Sequence, residues 1–328
     1  MTLGPVAILG SSATGLSLAL ACAAAGISVS VVEKDPDARE RAQIFARKDD
    51  PALAEKVVFH ADTNALVHTQ LIFDALDPDD RDAGTLLVPK SIAIATPYAE
   101  PLSGMPKDQQ VRCVPFQPMQ LRHLFELTRF PETGDDTIRC WQTLAQAIGR
   151  VPVELPLGTP SIGLRLQDRL HAQADHLLLH GAVLWELDEA MTSFGFDLGF
   201  YEAQDLTGLD VAYARRKARG QPSLIADRAV EEGRIGKKIG WGWYRYPGGG
   251  GAVIDPLIED LIREEAWFAK VEQQSFDPGE MTDQLLQVLQ EELDTIRREM
   301  SVGTAEDLGK IAVHGLGYPE SKLNLLGL

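Results

Sequence analysis

The chain has 328 residues, 45% apolar and 24% charged, the composition of a globular protein with room for two domains and a large core. Its 31 Lys and Arg against 48 Asp and Glu leave a formal charge of −17. That balance disfavours nucleic acid and anionic membrane surfaces as partners, because a phosphate backbone demands clustered cations. The one dense basic run, Arg215, Arg216, Lys217 and Arg219, reads as a solvated helix face or, alternatively, as a phosphate contact. Three cysteines, Cys22, Cys113 and Cys140, give neither a disulfide framework nor a zinc spacing, and suit a reducing cytoplasm. No apolar run reaches the roughly 18–20 residues of a membrane span.

The chain opens on a βαβ pattern. A strand over 6–9 enters a small-residue turn over 10–15, an Ala- and Leu-rich helix follows, and a β-branched run over 27–32 ends in Glu33. The turn matches the dinucleotide fingerprint G-x-G-x-x-G at Gly10 and Gly15, with Ser12 at the middle glycine. Glu33 stands 23 residues beyond Gly10, where a carboxylate accepts from ribose hydroxyls and repels a 2′-phosphate, so the preference is NAD over NADP. Gly10, Ser12, Thr14, Gly15, Glu33 and Ala75 are the candidate cofactor-binding positions. A unit that kept its packing glycines and lost its ligand explains the same pattern.

Further along, a helix over 35–48, a turn over 51–55 and strands over 56–60, 71–76, 91–95, 111–116 and 151–155 alternate as in a mostly parallel sheet. An amphipathic helix over 136–149 faces Leu144, Ala147 and Ile148 inward and ends at Gly149. The Pro-rich piece 152–160 divides the chain into an α/β Rossmann-type domain (1–156) and an all-α domain (157–328). Helices are expected over 161–180, 182–192, 205–217, 223–232, 255–268, 282–300 and 305–313. Only 241–246, beside the Gly248 to Gly251 loop, has a β-like pattern.

In that second domain, DEAMTSFGFDLGFYEAQDLTGLDV (188–211) followed by GRIGKKIGWGWYRY (233–246) resembles the signature of the 3-hydroxyacyl-CoA dehydrogenase family. HGLGYPESKLNLLGL (314–328) is similar to the end of a second copy of that helical module, so the domain reads as two divergent repeats, about 157–250 and 251–328. The resemblance implies NAD-dependent oxidation of a 3-hydroxyacyl-CoA by a His base, a Glu that orients it, and Ser and Asn that hydrogen-bond the reacting oxygen. Carried over residue by residue, the glutamate falls at Glu126, the histidine at Val114, the asparagine at Leu164, and the serine within 94–98, where no serine stands. A valine cannot take a proton and a leucine cannot donate to an oxyanion.

His123, three residues before Glu126, is a substitute base if the segment is helical. Glu126 alone, in an apolar pocket, is another, and pairing with Arg122 or Arg129 is the structural alternative. His60, His68, His171, His176, His180 and His314 have no metal-ligand spacing, so no metal is expected. Trp241, Trp243, Tyr244 and Tyr246 read as packing. Only 41 residues separate Glu33 from Asp74, too few for the helical hairpin that contacts CoA in the family, and a polar turn at Asp77-Pro78-Asp79-Asp80 shortens the next helix. Two functions follow from these residues. One is an NAD-dependent oxidoreductase with an altered small-molecule or acyl substrate. The other is an inactive binding, regulatory or assembly protein, monomeric or homodimeric, with a protein partner.

Overall fold

The computed structural model describes residues 3–76, 93–299 and 304–328. The turn expected at 77–80 and the start of the strand expected at 91 lie outside them. Two compact units are formed, Met1–Ser161 and Ile162–Leu328.

Unit 1 is an eight-stranded sheet in the order β3-β2-β1-β4-β5-β6-β7-β8. The strands are β1 (Val6–Leu9), β2 (Val29–Val32), β3 (Val57–His60), β4 (Leu71–Asp74), β5 (Ala93–Thr96), β6 (Gln110–Pro115), β7 (Leu124–Arg129) and β8 (Val151–Leu155). β1, β4 and β5 are buried along their whole length, which is why VAIL, LIFD and AIAT carry no polar residue apart from the terminal Asp74 and Thr96. Chain order reverses between β1 and β4, so the crevice at their carboxyl ends is the place where such sheets take ligands.

Helix α1 (Ala13–Ala24) buries Leu16, Leu18, Leu20 and Cys22 against this sheet. Next come α2 (Pro36–Asp49) and the one-turn helix α3 (Pro51–Ala54), each capped by an aspartate, Asp35 and Asp50. α4 (Asp135–Ala147) buries Trp141, Leu144 and Ala145. Leu144 and Ile148 face inward as expected, whereas Ala147 is exposed and Ala145 takes its place.

The sequence reading misses one strand, and it is the one that carries Glu126. β7 pairs antiparallel with β6 and parallel with β8. Phe125 and Leu127 alternate toward the core beneath α4, together with Val111 and Cys113 of β6. That period of two forms the strand, while the flanking Arg and His residues suggest an amphipathic helix.

Unit 2 is helical: α5 (Ile162–Leu179), α6 (Leu184–Phe194), α7 (Phe200–Thr207), α8 (Leu209–Arg219), α9 (Leu224–Glu231), α10 (Pro256–Phe268), α11 (Pro278–Glu299) and α12 (Ala305–Ile311). α11 packs on α5 through a buried stripe of Met281, Leu285, Leu289, Leu293 and Ile296, the i, i+4 spacing of an amphipathic helix. The single helix expected over 205–217 is divided at Gly208, whose φ of 103° disfavours any side chain and breaks α7 from α8. The β-like patch survives as isolated antiparallel bridges, Trp241 with Arg245 and Arg245 with Val253. Among the described residues no helix is long and apolar enough to cross a membrane.

Candidate functional site

The turn after β1 keeps the backbone shape of a dinucleotide site. Gly10 has φ 85°, and a Cβ there would stand 3.0 Å from the Ala75 carbonyl oxygen. At Gly15 a Cβ would meet the Ala75 methyl at 2.8 Å and Ile8 Cγ2 at 2.9 Å, so only glycine lets α1 lie this close to β1 and β4. The structure therefore brings Gly10, Gly15 and Ala75 together at the switch point.

The polar groups around that turn are engaged with one another. Ser12 is the N-cap of α1, and its Oγ accepts from the Gly15 N–H at 3.3 Å. Thr14 follows in the first turn, where helix geometry leaves its N–H, like that of Ala13, without an intrahelical acceptor. Glu33 Oε2 accepts from Ser11 N at 3.1 Å and Ser11 Oγ at 2.7 Å, while its Oε1 accepts from Asp35 N at 3.1 Å. A dinucleotide fits the glycines. It does not fit Ser12 and Glu33 as they stand, because Ser12 caps its own turn through the Gly15 N–H and Glu33 is engaged by Ser11 and Asp35 N. Ser11 is the residue that sequence reasoning missed here; it stands 22 residues from Glu33, and no local pattern marks the contact.

A second cluster forms on β6 and β7. The register sets Val114 directly opposite Glu126 in the antiparallel ladder, so both side chains share one face. Val114 is 7% exposed and Glu126 1%. Ser161, also buried, donates from its Oγ to Glu126 Oε2. Nothing in the sequence marks this partner, which lies 35 residues away. Burial pushes the neighbouring Cys113 thiol well up, and the Glu126 charge adds to the effect. Arg129, one expected partner of Glu126, instead pairs with Asp135 at 2.8 Å and Glu154 at 2.6 Å.

The helical segment on which the His123 expectation depends is not present. His123 directly precedes β7 and Glu126 lies within it, so the helical turn that would stack the two is not formed. Leu164 lies in the first turn of α5, in unit 2. At the end of β5, where the resemblance places a serine, Thr96 donates to Asp74 Oδ2 at 3.1 Å, and Tyr98 donates to the Leu76 carbonyl at 2.6 Å.

In unit 2 the aspartates of the quoted motif are structural. Asp188 accepts from Tyr201 N and Glu202 N, capping α7, and from the Tyr244 hydroxyl. Asp205 accepts from Trp243 N, Tyr244 N and the Tyr246 hydroxyl, which fixes the aromatic patch as packing. The basic run on α8 is neutralised by carboxylates: Arg215 and Arg219 hold Asp168, and Arg216 holds Asp227. Among the described residues no group of three or more His, Cys, Asp and Glu could hold a metal.

Residues 162–246 match the family model described as the 3-hydroxyacyl-CoA dehydrogenase C-terminal domain. The peroxisomal bifunctional enzyme of Danio rerio is 29% identical over 227 residues, covering 63% of this chain and 32% of that protein. The peroxisomal fatty acid beta-oxidation multifunctional protein of Oryza sativa is 29% identical over 224 residues, 64% of this chain and 31% of that protein. The chain thus spans about a third of the length of these relatives. Among solved structures, the dehydrogenase part of multifunctional enzyme 1 from C. elegans superposes with a TM-score of 0.68 at 20% identity, over 97% of this chain and 80% of that one. The 3-hydroxybutyryl-CoA dehydrogenase of Escherichia coli gives 0.68 at 18% identity, over 97% and 90%. At such identities the two structures speak for the fold alone. The fold, the matched helical domain and the related sequences agree: residues 162–246 match the 3-hydroxyacyl-CoA dehydrogenase C-terminal domain, and the chain is similar in sequence and fold to proteins that carry it.

Proposed function

We propose that this chain keeps the scaffold of its family without the His-based proton transfer, and acts as a binding, regulatory or assembly component. The observation that carries this reading is Val114 in register opposite Glu126. General acid–base catalysis needs a group within hydrogen-bond reach that titrates near the working pH, and an isopropyl side chain offers none. The carboxylate that would orient a histidine holds the Ser161 hydroxyl instead. Leu164, in the asparagine's position, removes a donor for the reacting oxygen by the same logic.

The retained Gly10 and Gly15 support a second reading, an oxidoreductase with a different substrate that still takes NAD. When bound, NAD would supply hydride exchange. Gly10, Ala13, Thr14 and Gly15 would cradle its pyrophosphate, Glu33 its ribose, and the Ser11 and Ser12 contacts would have to open first. The ligand class under either reading is a small oxo or hydroxy acid or its acyl-CoA. A homodimer or monomer with two helical repeats, working in a reducing compartment such as the cytoplasm, suits the three free thiols.

A coupled assay following NADH with acetoacetyl-CoA and a panel of small oxo acids tests both readings, with calorimetric titration of NADH beside it. The binding reading expects no turnover within about two orders of magnitude of the usual enzyme range of about 1–10³ s⁻¹. Turnover in that range on acetoacetyl-CoA would overturn it. Turnover on an oxo acid alone selects the second reading.

A further inference from the structure

Two histidines one turn apart close α5, His176 in its last turn and His180 directly after it, in the run HLLLH. Their rings face each other with centroids 4.0 Å apart and planes tilted by 40°. Residues at i and i+4 share one helix face, and two histidines at that spacing can bind one metal ion together. This revises the expectation from sequence that no histidine spacing suits a metal: that reading passes over the i, i+4 relation of His176 and His180, and the ring geometry makes it a pair.

A second observation sets the rings up as ligands. His180 Nδ1 lies 2.8 Å from the His176 carbonyl oxygen, and only a ring N–H can make that contact. The tautomer is thereby fixed, with the lone pair on His180 Nε2. An imidazole that donates through one nitrogen to a backbone carbonyl and ligates through the other is the arrangement that metal-binding histidines almost always adopt. His176 is exposed and His180 half-buried, so an ion reaches them from solvent.

We propose that His176 and His180 form a two-imidazole site for a borderline divalent transition ion such as Zn²⁺ or Ni²⁺, with water completing the coordination. Imidazole suits these ions and discriminates against Mg²⁺ and Ca²⁺, which take oxygen donors. The site clips the last turn of α5. The segment that follows α10 is tied to that same turn, Gln274 N donating to the His180 carbonyl at 2.8 Å and Gln273 Nε2 to the Leu179 carbonyl at 2.7 Å. Ion binding therefore stiffens the junction between α5 and the 271–274 segment.

The test is calorimetric titration of ZnCl₂ and of NiCl₂ into the full chain, with MgCl₂ as the control. Each is repeated on His180→Ala and on His176→Gln, whose position faces solvent and leaves the fold intact by circular dichroism. The expected result is one equivalent of Zn²⁺ or Ni²⁺ bound by the wild type, no Mg²⁺ bound, and affinity reduced more than about tenfold in each variant. Thermal melting provides a second readout: saturating Zn²⁺ raises the wild-type midpoint and leaves both variants unmoved. Absence of binding in the wild type overturns the proposal. So does an unchanged isotherm in the variants, which would assign the ion to the cysteine thiols or other groups.

Discussion

Val114 and Glu126 face each other across the β6–β7 ladder, and a buried carboxylate opposite a valine must find its hydrogen bonds elsewhere. Ser161 donates to Glu126, so the carboxylate is buried with a partner. Removing that donor takes a hydrogen bond from a buried carboxylate. Ser161→Ala is expected to cost about 1–3 kcal/mol in urea denaturation at pH 7. A loss within a few tenths of a kcal/mol would show that the Ser161 bond contributes little to holding the carboxylate.

Placing a histidine at position 114 tests the cross-strand geometry itself. Val114→His buries a polar ring in a site that is 7% exposed, a destabilising change on its own. Opposite Glu126 the ring gains a hydrogen-bond partner, so the penalty shrinks. The double-mutant cycle of Val114→His with Glu126→Gln is expected to return a favourable coupling of about 0.5–3 kcal/mol between the introduced imidazole and the native carboxylate. Zero coupling would mean that the two side chains do not meet.

At the glycine turn, Ser12→Gly removes a capping hydroxyl and restores the middle glycine. The stability loss is expected to be a few tenths of a kcal/mol, against about 1 kcal/mol for Ser12→Ala. Calorimetry with NADH is expected to show tighter binding by Ser12→Gly than by the wild type, because Gly15 N–H is released from the Ser12 hydroxyl. Equal affinity in the two proteins would point to Glu33 as the obstacle.

Unit 2 gives a pH dependence whose sign can be worked out. Burial raises Asp175 and Asp188 to about 6 and Asp205 to about 7, outweighing the donors that surround each. Each acid then holds its proton more tightly when folded than when unfolded. The associated stability is full below the ordinary aspartate value near 4 and is lost as pH rises through 6 and 7. His171, lowered by burial to about 4, works in the opposite sense between about 4 and 6.5, as His176 and His314 do more weakly. The three acids prevail, and the unfolding midpoint followed by tryptophan fluorescence is expected to be higher at pH 5 than at pH 8. A midpoint that rises with pH would show that the surrounding N–H and O–H donors keep these groups ionised.

The parts of this fold that repeat a period were legible in the sequence alone. The run from Val6 to Glu33 declared its βαβ unit because apolar strands, packing glycines and an Ala-rich helix each obey a local rule. The stripe of α11 followed likewise from its spacing of four. β7 was hidden because Arg122, His123, Glu126 and Arg129 lie at helical intervals, while the residues that decide, Phe125 and Leu127, do so through contacts with α4. The break at Gly208 is one residue long and invisible to periodicity. Side-chain partners such as Ser161 for Glu126 and Ser11 for Glu33 are products of tertiary packing, and no local pattern encodes them.

The β6–β7 register also has a practical reach. A hairpin paired along its whole length fixes which residues look at each other through the backbone alone, independently of their side chains. Position 114 is thus a prepared socket, aimed at a carboxylate and enclosed by neighbours. For protein engineers this makes the chain a template on which acid–base groups can be installed one substitution at a time, starting from the valine at position 114.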